Sequence, residues 1–139
     1  MTALAKVSLK VEIEDLTSET SSLETRFTHN ITPEEVFYGY TVIGNTATNL
    51  DLGGIASTDL LGVLIIAKGT AGTDYVGILV NDDGTGTPLT TQGNITLGAG
   101  EATYLNFGGS SQGLGSGKYI RIKGSTSSTA IEYFCFGKH

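Results

Sequence analysis

The chain of 139 residues carries a formal net charge of −6, with 39% hydrophobic and 16% charged residues. That length supplies one domain's core without disulfides or metals, and the balance excludes both a membrane-embedded chain and a charge-rich disordered one. An acidic surface disfavours general binding to nucleic acid phosphates, so neither nucleic acid nor a membrane is expected as a partner.

Glycine is abundant at 20 residues and proline scarce at 2, which favours short strands joined by tight turns. In KVSLKVEIE, Val7, Leu9, Val11 and Ile13 alternate with Lys6, Ser8, Lys10, Glu12 and Glu14, the period-two pattern of a strand with one wet face. DLTSETSS (15–22) reads as a polar loop. Leu23, Thr25, Phe27, His29 and Ile31 then alternate with Glu24, Arg26, Thr28 and Asn30. The two runs predict a long hairpin. Thr32-Pro33-Glu34-Glu35 has the chemistry of a helix start, with a Thr cap, Pro at the first position and acids in the first turn. VFYGYTVIG follows and is aromatic and β-branched, so one helical turn at most is expected before strand resumes.

NTATNLDLGGIAST predicts a short strand and a turn at Gly53-Gly54. LLGVLIIAKGT is a continuous apolar run, expected as a strand buried on both sides. Residues 70–74 turn the chain into DYVGILV, another buried strand. Ile95 and Leu97 mark a short strand, Gly98-Ala99-Gly100-Glu101 a tight connection, and residues 102–107 the next strand. GGSSQGLGSG (108–117) reads as a flexible loop. KYIRIKG predicts a strand with Ile120 and Ile122 inward, and AIEYFCFG the last one. The expected fold is all-β, about nine antiparallel strands in a β-sandwich or jelly roll. Residues 1–139 read as a single domain, with 1–32 a hairpin that is either core or an arm laid on a neighbour by strand addition.

Chemical candidates are few. VNDDGTGTPLTT (80–91) places Asp82 and Asp83 as calcium candidates, but no acid follows until Glu101, short of the oxygens that a calcium loop assembles. Asp-Gly between apolar strands is itself a turn signal, so a surface turn is expected. The single cysteine, Cys135, excludes an internal disulfide and reads as a small buried hydrophobe. The histidines are His29 and His139, and no serine sits in a nucleophile elbow. The Gly-rich loop lacks the lysine and helix of a phosphate cradle. No catalytic residue, cofactor or metal is expected, and the chain does not read as an enzyme. Val36, Phe37, Tyr38, Tyr40 and Val42 are the candidate interface residues, since aromatics supply large buried area. MTALAKVSLKV has no signal-peptide run, and LLGVLIIA is too short to span a bilayer, so synthesis in a cytoplasm is expected. Residues 1–35 hold seven acids against three bases, and residues 117–139 four bases against one acid.

LDLGGI, LLGVLIIAKGT, YVGILV, ITLGAGEATYLNF and YIRIKGSTSSTAIEYFCF follow one scheme. A buried strand leads to a second strand, then to an apolar strand at a Gly-Glu turn, then to two closing strands around a short polar turn. With KVSLKVEIEDLT ahead of it, this pattern resembles the small β-rich structural proteins of tailed-bacteriophage virions, of the capsid decoration (cement) type. The resemblance implies a non-enzymatic protein that binds and stabilises the outer capsid lattice. It implies the phage major capsid protein as partner, a homo-oligomer, with a trimer as the expected form, and a place in the virion after synthesis in the host cytoplasm. A tail, baseplate or head–tail connector component is the alternative. A glycan-binding host-attachment module is the second, and it requires Tyr38, Tyr40, Tyr104 or Tyr119 to form an exposed platform.

Overall fold

The computed structural model describes residues 4–14, 22–90, 94–107 and 113–138. The chain divides into two compact units, Met1–Pro33 and Glu34–His139. The first is a hairpin of β1 (Ala5–Glu14) and β2 (Ser22–Ile31). Its register is unbroken, with Val7, Leu9 and Val11 opposite His29, Phe27 and Thr25. The alternation in both runs therefore puts the apolar positions on one face, where a slip of one residue would scatter them. Leu9, Val11 and Phe27 are exposed. The expected polar loop falls, over 15–21, outside the described residues.

The second unit holds β3 (Glu35–Val42), β4 (Thr48–Asn49), β5 (Leu60–Ala67), β6 (Tyr75–Asp82), β7 (Ile95–Gly98), β8 (Ala102–Asn106), β9 (Tyr119–Gly124) and β10 (Ala130–Gly137). They form two four-stranded sheets, β3-β10-β5-β8 and β4-β9-β6-β7. β3 pairs with β10, β4 with β9, β5 with β8 and β6 with β7, all antiparallel. First strand thus meets last, and so on inward, as in one long folded ribbon. The further pairs β10·β5 and β9·β6 wrap that ribbon into two layers. This is the jelly-roll form of the β-sandwich.

No helical turn forms at Thr32–Glu35, although the segment has the chemistry of a helix start. Glu34 already donates its N–H to Gly137 O at 3.0 Å, and Glu35 lies opposite Gly137 in the sheet. Local cap chemistry is overridden because the β-branched and aromatic side chains of 36–42 favour pairing with β10. The one helical element among the described residues is a 3₁₀ turn at Ser57–Asp59.

The inward faces meet in a single core. Val63, Ile65 and Ala67 come from β5, Val76 and Ile78 from β6, Ile120 and Ile122 from β9, and Ile131, Tyr133 and Cys135 from β10. Each fully buried Ile or Leu side chain contributes roughly 1.5–3 kcal/mol, which explains why no disulfide is needed. Burial of LLGVLIIA is complete on this face alone, since Leu64 and Ile66 on the other are only half-buried. The Gly-rich segment is also not free throughout. Leu114 plugs the core, and its N–H donates to Ser57 O at 2.8 Å. Residues 108–112 lie outside the described residues.

Two buried polar residues, Asp74 and Thr129, tie turns together. Asp74 accepts the Thr70 N–H at 2.6 Å and the Thr126 hydroxyl at 2.7 Å, joining the β5–β6 turn to the β9–β10 turn. The Thr70 N–H foremost, then the Thr126 hydroxyl, hold its carboxyl below the ordinary 3.8. Between the lowered value and 3.8 the native state binds fewer protons than the unfolded chain. The stabilisation is therefore complete above the ordinary value and fades as pH falls through the lowered one. In urea melts from about pH 6 to about pH 2, the native sequence is expected to lose more stability than Asp74→Asn. Parallel losses would contradict this role.

Candidate functional site

The outer face of an antiparallel sheet normally meets water and is polar. The β4-β9-β6-β7 sheet follows this rule. With Ile120 and Ile122 in the core, alternation sends Arg121 and Lys123 outward. Arg121 donates from Nε to Gly86 O at 3.1 Å and from Nη1 to Asn49 Oδ1 at 3.0 Å. Gly86 belongs to the loop after β6, which lies over this outer face. Pro88 is buried, and a Cβ on Gly77 would come within 2.7 Å of Leu89 Cγ.

That loop is most of VNDDGTGTPLTT, and it is a cover rather than a simple turn. Asp82 Oδ1 accepts the N–H of Gly84 at 2.8 Å and of Gly86 at 3.0 Å. Asp83 Oδ1 accepts the Thr85 hydroxyl at 2.5 Å and its N–H at 3.0 Å. These Thr85 bonds, the hydroxyl's foremost, hold the Asp83 carboxyl below its usual range. Both carboxylates thus serve the loop's own backbone. Among the described residues, no three His, Cys, Asp or Glu side chains are grouped to hold a metal.

Cys135 and Tyr133 are core groups. Burial foremost, with the charge of Asp51, pushes the Cys135 thiol up to about 12. The thiolate is the reactive form, so the native protein is expected to resist iodoacetamide for hours at about pH 8. The urea-unfolded chain should alkylate in minutes, and equal rates would contradict the burial. The side chain of His29, and His139 as a whole, lie outside the described residues.

The outer face of the β3-β10-β5-β8 sheet breaks the polar rule. Register lays its side chains in rows. Val36 lies across from Phe136, then Gly62 and Asn106. Tyr38 lies across from Phe134, then Leu64 and Tyr104, and Tyr40 across from Glu132, then Ile66 and Ala102. Glu132 brings the charge to these rows, and it is engaged at both oxygens. The Tyr38 hydroxyl donates to Oε2 at 2.7 Å, and Lys68 Nζ stands 3.7 Å from Oε1. The rings of Tyr38 and Phe134 lie 4.9 Å apart, and those of Phe134 and Phe136 stack at 6.4 Å. Gly62 makes room for the Tyr104 ring, which a Cβ there would strike.

Along β3, Val36, Tyr38, Tyr40 and Val42 are 52%, 51%, 60% and 61% exposed. Phe37 points the other way and packs against the core. Of the five candidate interface residues, the strand thus brings four together and turns one inward. Gly39 keeps the inner side open, since a Cβ there would stand 2.5 Å from Tyr133 Cε1. The Tyr133 hydroxyl crosses to Asp51 O at 2.9 Å. A cleft of about 350 Å³ opens beside the strand, lined by Phe37, Tyr40, Leu50, Asp51 and Tyr133 among others. Leu64, Ile66 and Phe134 were missed by sequence reasoning. The signal for Leu64 and Ile66 was the lack of any polar residue at the alternate positions of LLGVLIIA. Of the tyrosines considered as a platform, Tyr38 and Tyr40 share this face, Tyr104 is half-buried on it, and Tyr119 is exposed on β9 of the other sheet.

Contiguous exposed apolar surface is the kind that docking partners commonly cover. No helix among the described residues is long and apolar enough to cross a membrane. No family model, no curated protein and no solved structure matches the chain.

Proposed function

We propose that the chain is a non-enzymatic structural protein of a tailed-phage virion, a capsid decoration protein that binds the major capsid protein through the outer face of the β3-β10-β5-β8 sheet. The observation that carries this reading is that face itself, apolar along β3 where Val36, Tyr38, Tyr40 and Val42 stand exposed. Jelly rolls serve both capsids and lectins, so the fold is compatible with the reading without selecting it. A decoration protein binds its lattice many times over, and modest single contacts become firm through multiplicity. An acidic body of net charge −6 stays soluble until it meets the lattice.

The test is a copy number. Quantitative mass spectrometry of purified virions, from the phage that carries the gene, compares this chain with the major capsid protein. Copies in number comparable to the lattice support decoration. A few to a few dozen copies would move the protein to the tail, baseplate or head–tail connector. Absence from the particle would overturn the virion reading. A second reading has its own observation. Tyr38 and Tyr40 stand exposed on one face, with the Glu132 carboxylate hydrogen-bonded to Tyr38 beside them, an arrangement on which a sugar ring stacks. A glycan array without hits would remove that reading.

A further inference from the structure

We propose that β3 is a self-pairing edge: two copies of the chain join β3 to β3 antiparallel about a twofold axis at Gly39, merging two sheets into one. The pairing does not depend on what the outer face docks on.

β3 is the last strand of its sheet, and among the described residues it pairs with β10 alone. Exposed edges are normally guarded by lysine, proline, a bulge or shortness. β3 has none of these guards. It runs eight residues as EVFYGYTV, and its register with β10 is unbroken. The opposite edge, β8, is only five residues long.

Hydrogen-bond parity fixes how a second copy fits. Ile43 donates to Thr129 O at 2.8 Å, toward β10. Alternation then turns the backbone groups of 37, 39 and 41 toward β10, and those of Val36, Tyr38, Tyr40 and Val42 toward the open edge. Two such edges meet antiparallel only where outward residues oppose outward residues. The longest overlap that satisfies this centres on Gly39. Val36 then faces Val42 of the second copy, and Tyr38 faces Tyr40, each pair exchanging both hydrogen bonds. On the outer face like side chains therefore meet like, valine opposite valine and tyrosine opposite tyrosine.

Charge favours the same arrangement. The chain has a net charge of −6, so most of its surface repels a copy of itself. Residues 36–42 carry no charged side chain, and Glu35 falls beyond Val42 of the second copy, outside the paired stretch. The contact lies at the low end of interface sizes, so the dimer is expected at about micromolar concentrations or above.

Sedimentation equilibrium of the full chain from about 1 to about 500 μM is expected to show a monomer–dimer equilibrium. Tyr40→Pro removes one outward N–H per copy and none of the bonds to β10. It is expected to weaken the dimer about ten- to a hundredfold while near-UV circular dichroism stays native. A register test stands even if that variant fails to fold. Chains carrying Tyr38→Cys are mixed with chains carrying Tyr40→Cys and oxidised. Opposed positions lie within disulfide reach, whereas Tyr38 and its own copy lie diagonally at about 7–8 Å. Buried Cys135 adds no background. Disulfide dimers are expected in the mixture and not in either variant alone. A monomer at every concentration, a dimer indifferent to Tyr40→Pro, or equal cross-linking of single variants would each overturn the proposal.

Discussion

Ile65→Ala is expected to lower the stability of the jelly roll by about 2–5 kcal/mol, and Ile66→Ala by about 1 kcal/mol or less. The two isoleucines are neighbours with the same chemistry, so only their faces differ. Ile65 is fully buried in the core cluster, where deletion leaves a cavity that its packed neighbours fill poorly. Ile66 lies half-buried on the outer face, across from Glu132 on one side and Ala102 on the other. Urea titration reads the difference as a shift in midpoint at constant slope. Equal losses would mean that β5 is out of register by one residue, since a single slip exchanges its faces.

That pair also shows what the amino-acid pattern can and cannot reveal. KYIRIKG and KVSLKVEIE were legible because polar residues mark their wet faces. LLGVLIIA has no such mark, and its inward phase becomes visible only through pairing with β10 and β8. The β5 part of the apolar outer face was hidden for the same reason: Leu64 and Ile66 look like core. Thr32–Glu35 carried a true local helix signal that lost to pairing with β10. Leu114 looked like one apolar residue in a Gly-rich loop, and its seat in the core depends on the turn at Ser57. The loop after Asp82 read as a turn because its fold back over its own preceding strand, with Leu89 above bare Gly77 of β6, leaves no periodic mark in the sequence. What sequence reasoning did reach was the stripe on β3, through the density of aromatic and apolar side chains in VFYGYTVIG, although it also took in Phe37, which packs inward.

Ile66→Asp should leave the fold intact and weaken docking to capsids by about a hundredfold or more. The change adds a carboxylate across from Glu132, whose charge is already engaged by Tyr38 and Lys68. On docking, that new charge would be buried without a partner, at a cost of several kcal/mol. Lys123→Asp, on the outer face of the other sheet, changes charge more and should leave docking unaltered. Co-sedimentation of each variant with capsids that lack this protein measures the loss. Weakening by Lys123→Asp and not by Ile66→Asp would place the contact on the wrong sheet.

The most direct test is a photo-cross-link inside the virion. Tyr104 lies on the apolar outer face and Tyr119 on the other sheet, so benzoylphenylalanine at either position replaces one aromatic ring with another. Irradiation of assembled particles is predicted to join the chain to the major capsid protein from position 104 and not from position 119. Cross-links from 119 alone, or from neither position, would contradict the assignment of this face as the docking surface.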